Sequence, residues 1–309
     1  MGPIKQSLAS HFLGAGAALA SALCWAFSAI VFRRIGERMS AAAMNFSKGA
    51  IALVFFAALA NYTSIAGSDV PTLLVLCLSG LVGICLADTF YFLTLIRLGP
   101  RNTLLLDPLI PASTALFAML LFGEKLPWLG LAGIGMTVAS VVYVMYVQIP
   151  PHKHVRTWQT GLLFGILFVG FNVVGILLSK LGVSRLSSMD ASFIRQLSAF
   201  IGLGLWGGAN ARLYHWIRPV TEHDIRWRLL LAAFVGAFLG TWLSIAALKY
   251  TYASVAASFN ATAPLFVIPL TVILMKEKFN ARALPGVIVA VAGIVVYFLS
   301  LAQTPGVSP

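Results

Sequence analysis

Three ionisable side chains, Lys48, Asp88 and Asp107, stand inside apolar runs of this 309-residue chain, and a fourth, Arg195, stands in a later one. A charge at the centre of a bilayer costs about 2.5–3.5 kcal/mol on insertion scales, so groups kept there line a pathway or neutralise one another. Asp88 lies in "GICLADTFYF" and Asp107 in "LLLDPLIPAS", with a tight turn expected between them near "RLGPR". The midpoint of the two positions falls in that turn, so an antiparallel hairpin puts both carboxylates at similar depth, about 10 Å below the surface at ~1.5 Å per residue. Lys48 enters from the same side, which permits a buried Lys48, Asp88, Asp107 cluster. Such a cluster can exchange a proton, or trade one for the ammonium group of a substrate, and so couple flux to a proton gradient. The structural alternative is that Lys48 neutralises one aspartate while the other caps the start of its helix, where the dipole favours an anion.

The elements that must position these residues occur twice. Adding 153 to each position of "LLLDPLIPASTALFAMLLFGEK" lands on "ASFNATAPLFVIPLTVILMKEK", pairing Pro111 with Pro264 and Glu124-Lys125 with Glu277-Lys278. The offset holds without a gap from Val82 to Val142, pairing Gly83 with Gly236 and Gly133 with Gly286, which is a repeat signal. Upstream, "FSK" ending at Lys48 aligns with "FIR" ending at Arg195 at an offset of 147. The second copy carries Arg195, Thr241 and Asn260 where the first carries Lys48, Asp88 and Asp107, so its positive charge has lost its anionic partners. Arg195 then pairs with Asp190, snorkels to the interface, or grips a substrate carboxylate with its planar fork.

With 60% hydrophobic and only 10% charged residues and a mean hydropathy of +0.93, the chain is an integral membrane protein. Runs of roughly 20 apolar residues mark single crossings. Ten are expected, at about 13–32, 43–61, 72–95, 102–122, 127–147, 160–179, 189–209, 228–248, 253–274 and 283–301. The expected fold class is an all-α membrane protein of ten transmembrane helices, built as two five-helix repeats at 13–147 and 160–301 around a linker at 148–159. Five spans per repeat force the second copy to enter from the opposite side, so the repeats are inverted. The net charge of +12 falls in the gaps between runs, which argues for a topology signal and against a nucleic-acid partner. Fourteen Lys and Arg lie in the gaps after the odd-numbered spans and five on the other side, placing both termini outside the cytoplasm. Cys24, Cys77 and Cys85 lie in apolar runs and read as small buried thiols.

The repeated five-helix unit, the "LCWAFSAIVFRR" opening, the basic residue early in the second helix and a proline followed after twelve residues by Glu-Lys resemble the EamA family of the drug/metabolite transporter superfamily. The resemblance covers about 13–146 and 160–301. It implies a ten-helix transporter, often an exporter, of small metabolites, set in a bacterial inner membrane, with a central cavity lined largely by the third, fourth, eighth and ninth helices. Opposed movement of the halves would expose that cavity alternately. An amino acid or related zwitterion is the favoured substrate, because carboxylates on one side and a lone arginine on the other offer both complementary charges.

Tyr91, Asn172 and Trp242 join the candidate pathway on polarity alone, with helix-helix contact as the plain alternative. Pro111, Pro264 and Pro269 are expected to break helical hydrogen bonding, as kinks or exposed carbonyls. Ser79, Gly83 and Ala87 map onto Ala232, Gly236 and Gly240 as small-residue faces for close packing. His152 and His154 in the linker, and His215, Glu222, His223 and Asp224 before the eighth span, are better read as exposed surface than as metal ligands. No H-E-x-x-H, G-x-S-x-G or phosphate-cradling glycine motif occurs, so neither a cofactor nor enzymatic chemistry is expected. A membrane enzyme and a passive channel are the rival classes.

Overall fold

A computed structural model describes residues 8–122, 128–147, 155–183, 186–250, 262–276, 282 and 284–302. Every regular element among them is helical. The first half holds α1 (Leu8–Ile35), α2 (Ala41–Leu59), the short α3 (Tyr62–Ala66), α4 (Val70–Gly80), α5 (Ala87–Leu104), α6 (Leu109–Phe122) and α7 (Trp128–Val147). The second holds α8 (Val155–Val183), α9 (Ser188–Ala209), the short α10 (Leu213–Ile217), α11 (His223–Ala232), α12 (Thr241–Tyr250), α13 (Ala263–Met275) and α14 (Leu284–Ala302). Among the described residues, five stretches are long and apolar enough to cross a membrane: Gly16–Ile35, Ala41–Leu59, Val70–Leu104, Arg156–Val183 and His223–Ala247. The helix α8 starts within the expected linker, where Trp158 is buried.

Helix starts carry the polar caps that free N–H groups require. Ser40 Oγ accepts from Ala43 N–H, and Asp69 accepts from Thr72 N–H. At α9, Ser187 Oγ accepts from Asp190 N–H and donates to Asp190 Oδ2. The other Asp190 oxygen accepts from Asn61 N–H at 2.7 Å.

The third span of each half is bent by a π-helical turn, Leu81–Leu86 between α4 and α5 and Ala233–Gly240 between α11 and α12. The repeat offset carries one onto the other, so the duplicated sequence duplicates the defect. A π turn inserts a residue into the helix and disturbs the i to i−4 ladder, often beside functional groups. The hairpin turn expected at "RLGPR" is real: Gly99 adopts φ 79°, a conformation open to glycine, and breaks α5 before Pro100.

The halves exchange partners. The helix α1 packs on the π turn and flanking helices of the second half, and α8 packs on those of the first. Offsets of 153 and 147 relate the contact of Gly83 with Gly175 to that of Gly236 with Ser28. A Cβ on Gly175 would stand 2.5 Å from Gly83 Cα, and one on Gly236 would stand 2.5 Å from Ser28 Oγ. Ser79 Oγ donates to Gly175 O at 2.7 Å, and at the related place Ser28 Oγ donates to Ala232 O at 3.2 Å. The same polar stitch is made in both halves, with the donor on opposite helices. The faces of small residues are thus seams for the opposite repeat's first helix.

The fourth span departs from expectation. Asp107 lies in a turn, Leu105–Pro108, and α6 begins only at Leu109. Backbone bonds across this stretch run three residues back, from Leu106 N to Thr103 O through Ile110 N to Asp107 O. Pro111 therefore occupies the first turn of α6 and Pro264 that of α13, where a missing N–H removes no ladder bond. Of the three prolines read as kinks, Pro269 alone interrupts a described helix interior.

Gly175→Ala should lower stability by about 1–3 kcal/mol by forcing α8 off the π turn, whereas Gly170→Ala on the same helix, with nothing within 4 Å, should be neutral. Thermal unfolding of both variants in one detergent measures the difference; equal midpoints would show that the seam can relax.

Candidate functional site

The two second helices, α2 and α9, cross where Gly49 meets Gln196: a Cβ on Gly49 would lie 3.0 Å from Gln196 Nε2. These positions are repeat partners, and so are their neighbours Lys48 and Arg195, so both cations sit at the junction of the halves. Both are buried, at 8% relative exposure each.

Their surroundings differ. Lys48 Nζ donates to Asp88 Oδ2 in an ion pair whose side chains are 10% and 22% exposed, and it lies 5.2 Å from the centre of the Phe92 ring. The pair anticipated from depth is formed. Arg195 has no salt bridge to a described residue, and its Nε is buried without a hydrogen-bond partner. Asp190, one of the alternatives that the sequence offers it, is spent on capping α9 and holding Asn61. Arg195 instead reaches across the repeat boundary: Nη2 lies 3.4 Å from where Gly83 would carry a Cβ, within the electrostatic range of Asp88. The structure therefore brings Lys48, Asp88 and Arg195 together, while Asp107 lies in the turn ahead of α6 with no ion pair to a described residue. Tyr91 feels the charge of both Asp88 and Asp107, with its ring 5.3 Å from those of Phe92 and Phe168.

Of the remaining candidates, Trp242 packs with Phe56, Phe238 and Phe193 in an apolar cluster, and the half-exposed Asn172 lies on α8. Asn260 lies outside the described residues. The suspected surface ligands are otherwise engaged: Glu222 with Arg38, Asp224 with Arg228, and His223 accepting from Trp227 Nε1.

One residue that the sequence reading passed over is Asn45, fully buried one turn before Lys48. Its Nδ2 donates to Ile84 O at 2.9 Å, Cys85 O at 3.2 Å and Thr89 Oγ1 at 3.0 Å. These are the acceptors around the π turn, so Asn45 fastens α2 to the bend immediately ahead of Asp88. The available signal was a lone amide at i−3 from Lys48, on the same helix face. Its repeat partner Ser192 bonds only within its own helix, to Ser188 O.

The EamA-like transporter family matches residues 12–146 and 159–299, one match for each half. The chain belongs to the EamA-like transporter family. An uncharacterized transporter of Archaeoglobus fulgidus is 25% identical over 285 residues, covering 91% of this chain and 96% of that relative. A solved crystal structure of a protein aligns with a TM-score of 0.61 at 18% identity, covering 96% of this chain and 99% of that one, and so shares its fold. This membrane transporter thus places two buried cations and one carboxylate at the meeting of its family repeats.

Breaking the Lys48–Asp88 pair from one side should be worse than removing it whole, because a buried charge is left uncompensated. Lys48→Met and Asp88→Leu should each cost about 3–5 kcal/mol, and the double variant less than their sum. Asn45→Leu, which strips the donors from the π turn, should cost about 1–3 kcal/mol. A thermodynamic cycle by thermal unfolding reads all four proteins, and additive single effects would contradict the pairing.

Proposed function

We propose that this EamA-like transporter is a secondary active exporter of a small polar metabolite, an amino acid or related compound, working by alternating access across two inverted five-helix repeats. The observation that supports this most is the junction of Lys48, Asp88 and Arg195, contributed by both halves. Relative movement of the repeats would alter the distance from Arg195 to the Lys48–Asp88 pair, giving a binding site that senses the state of the transporter. The ten-span reading rests on the matching helix order of the halves and on their reciprocal seams. Substrate and proton pathway are assigned to Lys48, Asp88, Tyr91, Asp107, Asn172, Arg195, Trp242 and Asn260.

Proton linkage is assigned to Asp107, which has no ion-pair partner among the described residues, rather than to Asp88, which Lys48 holds. On this reading a protonophore abolishes concentrative flux, and Asp107→Asn uncouples flux from the proton gradient while downhill exchange persists.

The test compares metabolites in the medium of cells producing the unaltered chain with those of cells producing Asp88→Asn at matched membrane levels. Accumulation of a compound outside only with the unaltered chain is the expected result. Depletion of a compound from the medium would reverse the assigned direction, and indistinguishable media would reject Asp88 as a transport residue.

A further inference from the structure

We infer that Arg195 is the anchor for an acidic group of the substrate, so that the transported metabolite is recognised by a carboxylate or similar oxyanion at the repeat junction. This deepens the transporter reading above and rests on it.

Arg195 is 92% removed from solvent, taken from its 8% exposure, and its Nε lies in the protein interior with no acceptor. An arginine so placed carries a desolvation penalty that only an anion or several good acceptors offset. No described acid forms an ion pair with Arg195. Asp88 is held by Lys48, and Asp190 is consumed at the start of α9. Asp107, in the turn ahead of α6, makes no ion pair with Arg195. Glu37, Asp69, Glu222 and Asp224 lie at or beyond helix ends. Outside the described residues the remaining acids are Glu124 and Glu277, in the Glu-Lys pairs that follow the expected fourth and ninth spans. The segment 251–261, TYASVAASFNA, contains no acid.

Geometry then makes room for the guanidinium. It lies over Gly83, in the middle of the first π turn, where a Cβ would stand 3.4 Å from Nη2. A glycine there leaves space beside the fork as well as against Gly175. Two cations and one carboxylate meet at this junction, leaving one positive charge for which a monovalent anion is the complement. A planar guanidinium binds carboxylate or phosphate through paired hydrogen bonds, a geometry that a lysine does not reproduce. The same bookkeeping of charge says which end of a zwitterion is read here. With Asp88 already paired, the acid end is gripped at Arg195, and an amino group within a few bonds of it has no free carboxylate.

The experiment uses the full chain, comparing unaltered protein with Arg195→Gln and Arg195→Lys. Purified in detergent without added solutes, Arg195→Gln should unfold at the same temperature as the unaltered protein or higher, because the charge serves binding and not folding. In cells at matched membrane levels, compounds released by the unaltered protein should carry a carboxylate or other oxyanion, and Arg195→Gln should reduce their release at least tenfold. Arg195→Lys, keeping the charge without the fork, should raise the half-saturating concentration several-fold in vesicle transport of the compound so found. A drop of several degrees in the midpoint of Arg195→Gln would make the arginine structural and overturn the inference. Released compounds that are all neutral or purely cationic would overturn it while leaving the transporter reading intact. If the unaltered protein moves nothing in either direction, the transporter reading falls and the inference falls with it.

Discussion

Two long cationic side chains are kept from water where α2 crosses α9, and much of the surrounding structure follows from the need to hold them. One is answered by a carboxylate from the adjacent helix of its own repeat, the other by no described side chain. That imbalance is costly in a low-dielectric interior, so the packing that maintains it has to be firm. The firmness comes from glycine. Gly83 backs onto Gly175, and Gly80 approaches the Arg195 backbone so closely that a Cβ would stand 2.1 Å from its carbonyl oxygen. Backbone meets backbone around the arginine, leaving its side chain little freedom except toward the junction.

The π turns give this junction its shape and its asymmetry. Both halves have one at the related place, and both are met by the first helix of the opposite half. In the first half Asn45 takes up the carbonyls disturbed by the bend, joining α2, the turn and Thr89 in one hydrogen-bonded unit. In the second half the related Ser192 makes no such bond. That turn is held from α1 instead, where Ser21 Oγ donates to Gly240 O at 2.8 Å and Ser28 Oγ to Ala232 O at 3.2 Å.

Much of this could be read from residues alone, for identifiable reasons. The offset of 153 exposed the duplication because an integral shift aligns Pro111 with Pro264 and Gly83 with Gly236. Counting residues from the turn at Gly99 predicted that Lys48 could reach Asp88, since depth along a helix is linear in residue number. The same arithmetic placed Asp107 with them. Asp107 makes no ion pair with them and lies in a turn at Leu105–Pro108, because its helix begins late, a boundary that proline placement only loosely fixes. Arg195 approaches Asp88 because the halves interlock, and contacts between repeats leave no periodic mark in either one. The π turns were invisible for a related reason: one extra residue in an all-apolar run changes no hydrophobic pattern.

The reciprocal seams bear on how such a protein could have arisen. Ser79 meeting Gly175 and Ser28 meeting Ala232 are one contact made twice, as expected if an ancestor of one repeat's length once paired with a second copy of itself. The present charge arrangement is closed to that ancestor. A symmetric pair of first halves would hold two neutralised Lys48–Asp88 pairs and no spare cation. A symmetric pair of second halves would bury two copies of Arg195 opposite Thr241, with nothing to balance either. Fusion into one chain is what allows the halves to drift into unequal charges, so the lone arginine is a trait that only the duplicated gene can carry.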